Sequence, residues 1–143
     1  MGTEERNAWA MLVVAVLTVS AYGVLVLASS DGAPIEDVNY QPIMLWVIGI
    51  AIAIGIAVGI TNGVLAHLKG ERQDADERDR AISRFGTNIS QAFLVIGGLA
   101  ALLMAMAEWD WFWIANTLFF GFALSGILEG VAKVVAYRRG LPW

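Results

Sequence analysis

The sequence has no cysteine, which excludes disulfides, thiol nucleophiles and thiolate metal sites. It has one histidine, His67, without a second histidine to share a metal ion. There is no nucleophile elbow and no Gly-rich phosphate loop. Nothing in the motif content supports an enzyme, and no cofactor is expected. Charge is also scarce: 15% of 143 residues are Asp, Glu, Lys or Arg. A soluble domain of this length has too much surface to carry so few. The net charge of −4, with its few bases beside the apolar runs, is not a nucleic-acid signature. Two polar stretches, residues 29–42 and 108–110, lack Lys and Arg altogether.

What the chain has instead is apolar length. Hydrophobic residues make up 58% of it, and the mean hydropathy is +0.66. Four runs, near 8–28, 43–66, 88–107 and 111–137, are long enough to cross the hydrocarbon of a bilayer, about 30 Å. No length remains for a separate soluble domain, so residues 1–143 read as one membrane domain. The first run follows Glu4-Glu5-Arg6, which is not a basic leader, and it is long for a signal peptide. It is expected to stay as a helix.

The bases set an orientation. Arg6 precedes the first run. Lys69, Arg72, Arg78, Arg80 and Arg84 lie in the charged loop 67–87. Lys133, Arg138 and Arg139 close the fourth run. The excess of Lys and Arg on one side predicts that both termini and this loop face the cytoplasm. Aromatics agree. Trp9, Tyr137 and Trp143 mark the inner interface, and Tyr40, Trp46, Trp109, Trp111 and Trp113 the outer one. The expected fold is therefore all-α, a four-helix integral membrane bundle with cytoplasmic termini.

Three features are candidates for function. The first is the charged loop. Asp74 and Glu77 have capping-box spacing. Asp74 with Arg78, and Asp76 with Arg80, are acid-before-base pairs four residues apart, the favourable order on a helix. Ile82, Phe85 and Ile89 line one face. This predicts a cytoplasmic helical extension that starts near Asp74 and runs into the third helix, with Gly86 a plausible bend. Asp76, Glu77, Arg78, Asp79, Arg80 and Arg84 form either a docking surface or a solvated, self-paired helix start. A metal site on Asp74, Asp76 and Asp79 lacks the glycine turn that calcium loops need.

The second feature is a row of small residues, Ala51, Gly55, Gly59 and Gly63, each four after the last. It allows close packing, either inside one bundle or between two chains. Gly97, Ala101 and Ala105 on the third helix are a weaker version. Gly121 with Ser125, and Gly126 with Gly130, are others on the fourth.

The third is polar side chains inside the apolar runs. Asn62, Asn88, Gln91, Glu129 and Lys133 fall at similar depth, with Glu129 about 12 Å along the helix from Tyr137. They predict a polar cluster in the inner third of the bilayer, since ionisable groups at such depth are costly and turn inward. Asn116 lies nearer the outer end. The cluster is either a small-solute or ion site, with Glu129 as a possible proton carrier, or structural glue with Glu129 paired to Lys133. The outer acids Asp31, Glu36, Asp37, Glu108 and Asp110 are weak metal candidates, Glu108 and Asp110 foremost, and are more simply solvated.

Several motifs carry a resemblance. They are Asp76-Glu77-Arg78-Asp79-Arg80, Arg84-Phe85-Gly86, Met104-Ala105-Met106-Ala107-Glu108-Trp109-Asp110, Phe112-Trp113-Ile114-Ala115-Asn116 and Ala136-Tyr137-Arg138-Arg139-Gly140. With these the chain resembles a family of small four-helix prokaryotic membrane proteins of actinobacterial type. Asp31, Gly32, Pro34, Asp37 and Tyr40 also fit, so the resemblance covers almost the whole chain. The family often has histidine at the position of Trp111, and the positions of Asn88 and Glu129 need not be polar in it. Arg84, Gln91, Trp113, Asn116 and Lys133 remain as family-level candidates. The resemblance implies a bacterial plasma membrane and supplies no activity, substrate or cofactor. The expected function is a non-enzymatic, homo-oligomeric membrane module that shows its charged helix to a cytoplasmic protein or a second subunit. The alternative is a small transporter or channel with a site among Asn62, Gln91, Asn116, Glu129 and Lys133.

Overall fold

The computed structural model describes residues 3–70 and 77–141. They form four helices: α1 (Thr3–Ser29), α2 (Tyr40–Leu68), α3 (Glu77–Met106) and α4 (Trp111–Arg139). A short 3-10 turn, Ile35–Asp37, sits between α1 and α2. All four helices are long and apolar enough to cross a membrane. With 27 to 30 residues each, they span about 40–45 Å. Their lengths exceed the apolar runs because polar turns continue them at one end. α3 is the clearest case: its apolar part is preceded by the charged turns from Glu77 onward. The expected start near Asp74, the pairs Asp74–Arg78 and Asp76–Arg80, and the docking candidate Asp76 lie outside the described residues. Gly86 does not interrupt α3, which runs unbroken through it.

Neighbouring helices are antiparallel. Arg6 near the start of α1 meets Asn62 near the end of α2. Trp9 of α1 meets Arg138 of α4, and Arg78 of α3 meets Tyr137 of α4. The start of α1, the end of α2, the start of α3 and the end of α4 therefore share one end of the molecule. It carries every described Lys and Arg and is the basic end. The opposite, loop end carries Asp31, Glu36, Asp37, Glu108 and Asp110.

The connections at the loop end are built by local chemistry. Trp109 N–H reaches Met104 O at 3.0 Å and Glu108 N–H reaches Ala105 O at 3.2 Å, which closes α3 with a Schellman pattern. Glu108 takes the left-handed position, φ 55°, normally held by glycine. Asp110 then caps α4, its carboxylate accepting from Phe112 N at 2.8 Å.

The helices pack in the order α2–α1–α4–α3, with α3 against α4 the most extensive contact. At the loop end an aromatic core ties α1, α2 and α4 together. Tyr22 packs on Phe119 with the rings tilted and their centroids 4.5 Å apart, and Tyr40 meets Phe112 edge-on at 5.2 Å, beside buried Val26, Val38 and Val47. Away from this core α2 leans on α1. It is the least buried helix, with 6% of its apolar window inside the structure against 28% for α4. The bundle is consequently open along the side between α2 and α4.

Glycines decide how closely the helices approach. A Cβ on Gly97 would lie 2.8 Å from Gly121 Cα, so these two glycines form the α3–α4 crossing. A Cβ on Gly130 would lie 2.8 Å from Leu12 Cβ, which marks the α1–α4 contact. The α2 row behaves differently. Gly55 meets only the end of Met11, at 3.7 Å, and a Cβ at Gly59 or Gly63 would meet nothing within 4 Å. Close packing inside the bundle uses the glycines of α3 and α4, not those of α2.

Candidate functional site

The polar residues expected to form one cluster separate into three groups. The first joins α1 to α2. Asn62 is buried; its Oδ1 accepts from Arg6 Nε at 2.9 Å and its Nδ2 donates to Asn7 Oδ1 at 2.5 Å. Arg6 and Asn7 precede the first apolar run, so depth within the runs does not single them out.

The second group joins α3 to α4. Glu129 accepts from Lys133 Nζ at 2.6 Å, one helical turn on. Its carboxylate also faces Thr87 Oγ1 at 3.3 Å and Ser90 Oγ at 3.5 Å on α3. Ser125 donates to Ser90 O at 2.9 Å, which links the helices again one turn further in. Gly86 makes room for this arrangement: a Cβ there would lie 2.7 Å from Lys133 Cγ. Thr87 and Ser90 are contributors that the sequence did not single out; Ser125 was legible there as a small residue one turn from both Gly121 and Glu129. The available signal was register. Gly86 and Ser90 are buried on α3, four residues apart, so the face toward α4 carries hydroxyls and glycine. Asn88 and Gln91 are exposed on a different face, and Gln91 does not join Glu129 and Lys133.

Asn116 belongs to a third group, at the loop end. It is buried, accepts from Tyr22 OH at 2.7 Å through Oδ1, and donates to Phe112 O at 2.8 Å. It locks α1 to α4 within the aromatic core. Trp113 lies above it and donates from Nε1 to Glu36 at 3.1 Å, strapping the α1–α2 connection to α4.

The charged start of α3 is fixed to the end of α4. Tyr137 OH donates to Asp79 Oδ1 at 3.0 Å, and Arg78 Nη2 donates to Tyr137 O at 3.3 Å. Glu77, Arg78, Arg80 and Arg84 are exposed, and Asp79 is half-buried. Of the docking candidates, Arg78 and Asp79 therefore hold the extension in place. Glu77, Arg80 and Arg84 form its outward surface.

Between α2 and α4, floored by α1, runs a laterally open groove of about 1170 Å³. Its walls are apolar and include Gly55 and Gly59 of the α2 row, facing Ala123 and Gly126 of α4. The basic end is polar, with Glu4, Asn7, Glu129, Lys133 and Tyr137. The first and second polar groups thus meet at one end of a single groove without hydrogen bonding to each other.

No group of three or more His, Asp or Glu among the described residues is arranged to hold a metal ion. Glu108 and Asp110 stay apart in role: one holds the left-handed turn and the other caps α4. Compared with known proteins, the chain matches no family model, no curated sequence and no solved structure.

Proposed function

We propose that this chain is a non-enzymatic multi-pass membrane protein that assembles with further copies of itself. Its basic end faces the cytoplasm of a prokaryotic plasma membrane. There it presents the start of α3 to a cytoplasmic protein or to a second subunit. The one-sided Lys and Arg residues support the orientation. The observation that carries the assembly reading is the charged extension. It is continuous with an apolar helix and clamped to α4 through Tyr137, yet Glu77, Arg80 and Arg84 point outward. A solvated helix start needs no such clamp, whereas a docking surface gains from being held rigid.

The test uses a photo-crosslinking residue at position 77 in native membranes. Protein adducts are expected from the unaltered chain, reduced several-fold by Arg80→Glu with Arg84→Glu. Adducts of equal yield in the charge-reversed chain would remove the docking role. Native mass spectrometry from nanodiscs should release more than one copy, and a uniform monomer argues against assembly.

A second reading is a small-solute or ion transporter. It is favoured by the groove, which leads along apolar walls to Glu129 and Lys133. It ranks behind because the two charges already engage each other and Glu129 also accepts from Thr87.

A further inference from the structure

α3 turns two different faces outward and inward. Toward α4 it presents Gly86, Ser90, Gly97 and Ala101. On another face, about 130° around the helix, lie Asn88, Gln91, Val95, Gly98 and Leu102. Asn88 and Gln91 are exposed, Val95 and Leu102 are 59% and 55% exposed, and a Cβ on Gly98 would meet nothing within 4 Å. Their spacing alternates three and four residues. That is the spacing of a seam along which two helices can supercoil around each other.

The two amides make this face more than an apolar surface. They stand at the level of Ser90, whose hydroxyl and carbonyl reach Glu129 and Ser125 on the opposite side of α3. No described residue of the chain bonds to either amide side chain. In hydrocarbon, such groups are left without the water that would otherwise satisfy them. Lipid tails offer nothing in return. A carboxamide both donates and accepts, so it is complementary to another copy of itself. Every copy has the same orientation, so a two-fold axis along α3 brings Asn88 to Asn88 and Gln91 to Gln91 at matched depth. Gly98, two turns beyond Gln91, permits close approach of the backbones. Arg84 lies at the solvent end of the same face, where its long side chain can spread into water.

We infer that α3 pairs with α3 of a second copy of this chain along the Asn88–Gln91–Val95–Gly98–Leu102 seam, with the two amides hydrogen-bonded across it. The inference rests on the membrane-embedded assembly proposed above and names its interface. Between membrane helices an amide at a seam position acts as interhelical glue and also fixes register, and Asn88 occupies such a position.

The absence of cysteine makes a direct test possible. Single variants Val95→Cys and Gly98→Cys, oxidised in native membranes, should give disulfide-linked dimers. Gly59→Cys on the α2 row and Phe93→Cys on another face of α3 should not. In liposomes, energy transfer between labelled copies should show that Asn88→Leu with Gln91→Leu weakens self-association about tenfold. Both amides are exposed, so the double variant should leave the monomer folded, with unchanged helical content by circular dichroism. Gly98→Leu should loosen the pair similarly by blocking close approach.

Dimers through Gly59→Cys alone would overturn the α3 interface while leaving assembly standing. Adducts of Gly98→Cys to a different protein would overturn the second copy as occupant. Unchanged association of the double leucine variant would overturn the amide pairing. A monomer in nanodiscs, with no crosslink at any position, would remove the assembly proposal together with this one.

Discussion

Glu129 shows how one half-buried acid can be made structural. Lys133 supplies the nearest donor, and the hydroxyls of Thr87 and Ser90 bring α3 to the same carboxylate. Both charged side chains are only partly exposed, 33% for Glu129 and 23% for Lys133. The ion pair itself is worth little where water reaches it, on the order of 1 kcal/mol or less. What matters more is what remains when one partner is removed. Glu129→Gln keeps a carbonyl that can accept from Thr87 or Ser90. Lys133→Met leaves a carboxylate with weak donors only. Lys133→Met is therefore expected to destabilise the protein by roughly 1–3 kcal/mol, and Glu129→Gln by less. Unfolding in mixed micelles measures both, and the reverse order would contradict this account. Gly86 belongs to the same unit, because any side chain there displaces Lys133 from its place across α3.

At the scale of elements, α3 and α4 form the firmest pair, and glycine is the reason. Gly97 and Gly121 meet backbone to backbone. A leucine at either position has no flexible neighbour to push aside, only main chain. Gly97→Leu or Gly121→Leu should separate the helices and cost about 1–3 kcal/mol or more, with loss of the Ser125–Ser90 bond. Gly59→Leu on α2 should cost far less in the monomer, since that position opens on the groove. Comparing the three variants in one micelle assay checks the contrast. The sequence held this contrast only in part. Small residues four apart were visible on α2, α3 and α4 alike, and the longest row was the one the bundle leaves open. Spacing reports which face can pack closely. It does not report which helix arrives there.

For the whole molecule, the packing order α2–α1–α4–α3 is the central fact. It places α2 and α4 on either side of α1, joins them through the aromatic core at the loop end, and leaves the groove open toward the basic end. If the groove is a transport route, flux in liposomes should depend on its polar end. Glu129→Gln and Gly59→Leu, the second narrowing one wall, should each lower flux at least several-fold. If the groove is instead filled by lipid around an assembly module, no flux above that of empty liposomes is expected. The α3 face that carries Asn88 and Gln91 lies outside the groove, so assembly through α3 and occupation of the groove can be tested separately.

The sequence by itself determined the helices and their register with the charges. Long apolar runs can satisfy their backbone in lipid only as helices, and every described Lys and Arg lies toward one end. The pairing of Glu129 with Lys133 was also legible, because residues four apart share a helix face. Three-dimensional packing decided the rest. Asn62, Glu129 and Asn116 looked alike as polar residues within apolar runs. Each found different partners, Arg6 with Asn7, Thr87 with Ser90, and Tyr22, because depth along a helix says nothing about which neighbour stands opposite. Gln91 was drawn toward the interior by depth alone, whereas the rotation of α3, set by Gly97 against Gly121, turns it outward with Asn88. Helix rotation and helix order are properties of contacts between segments far apart in the chain, and only the tertiary structure contains them.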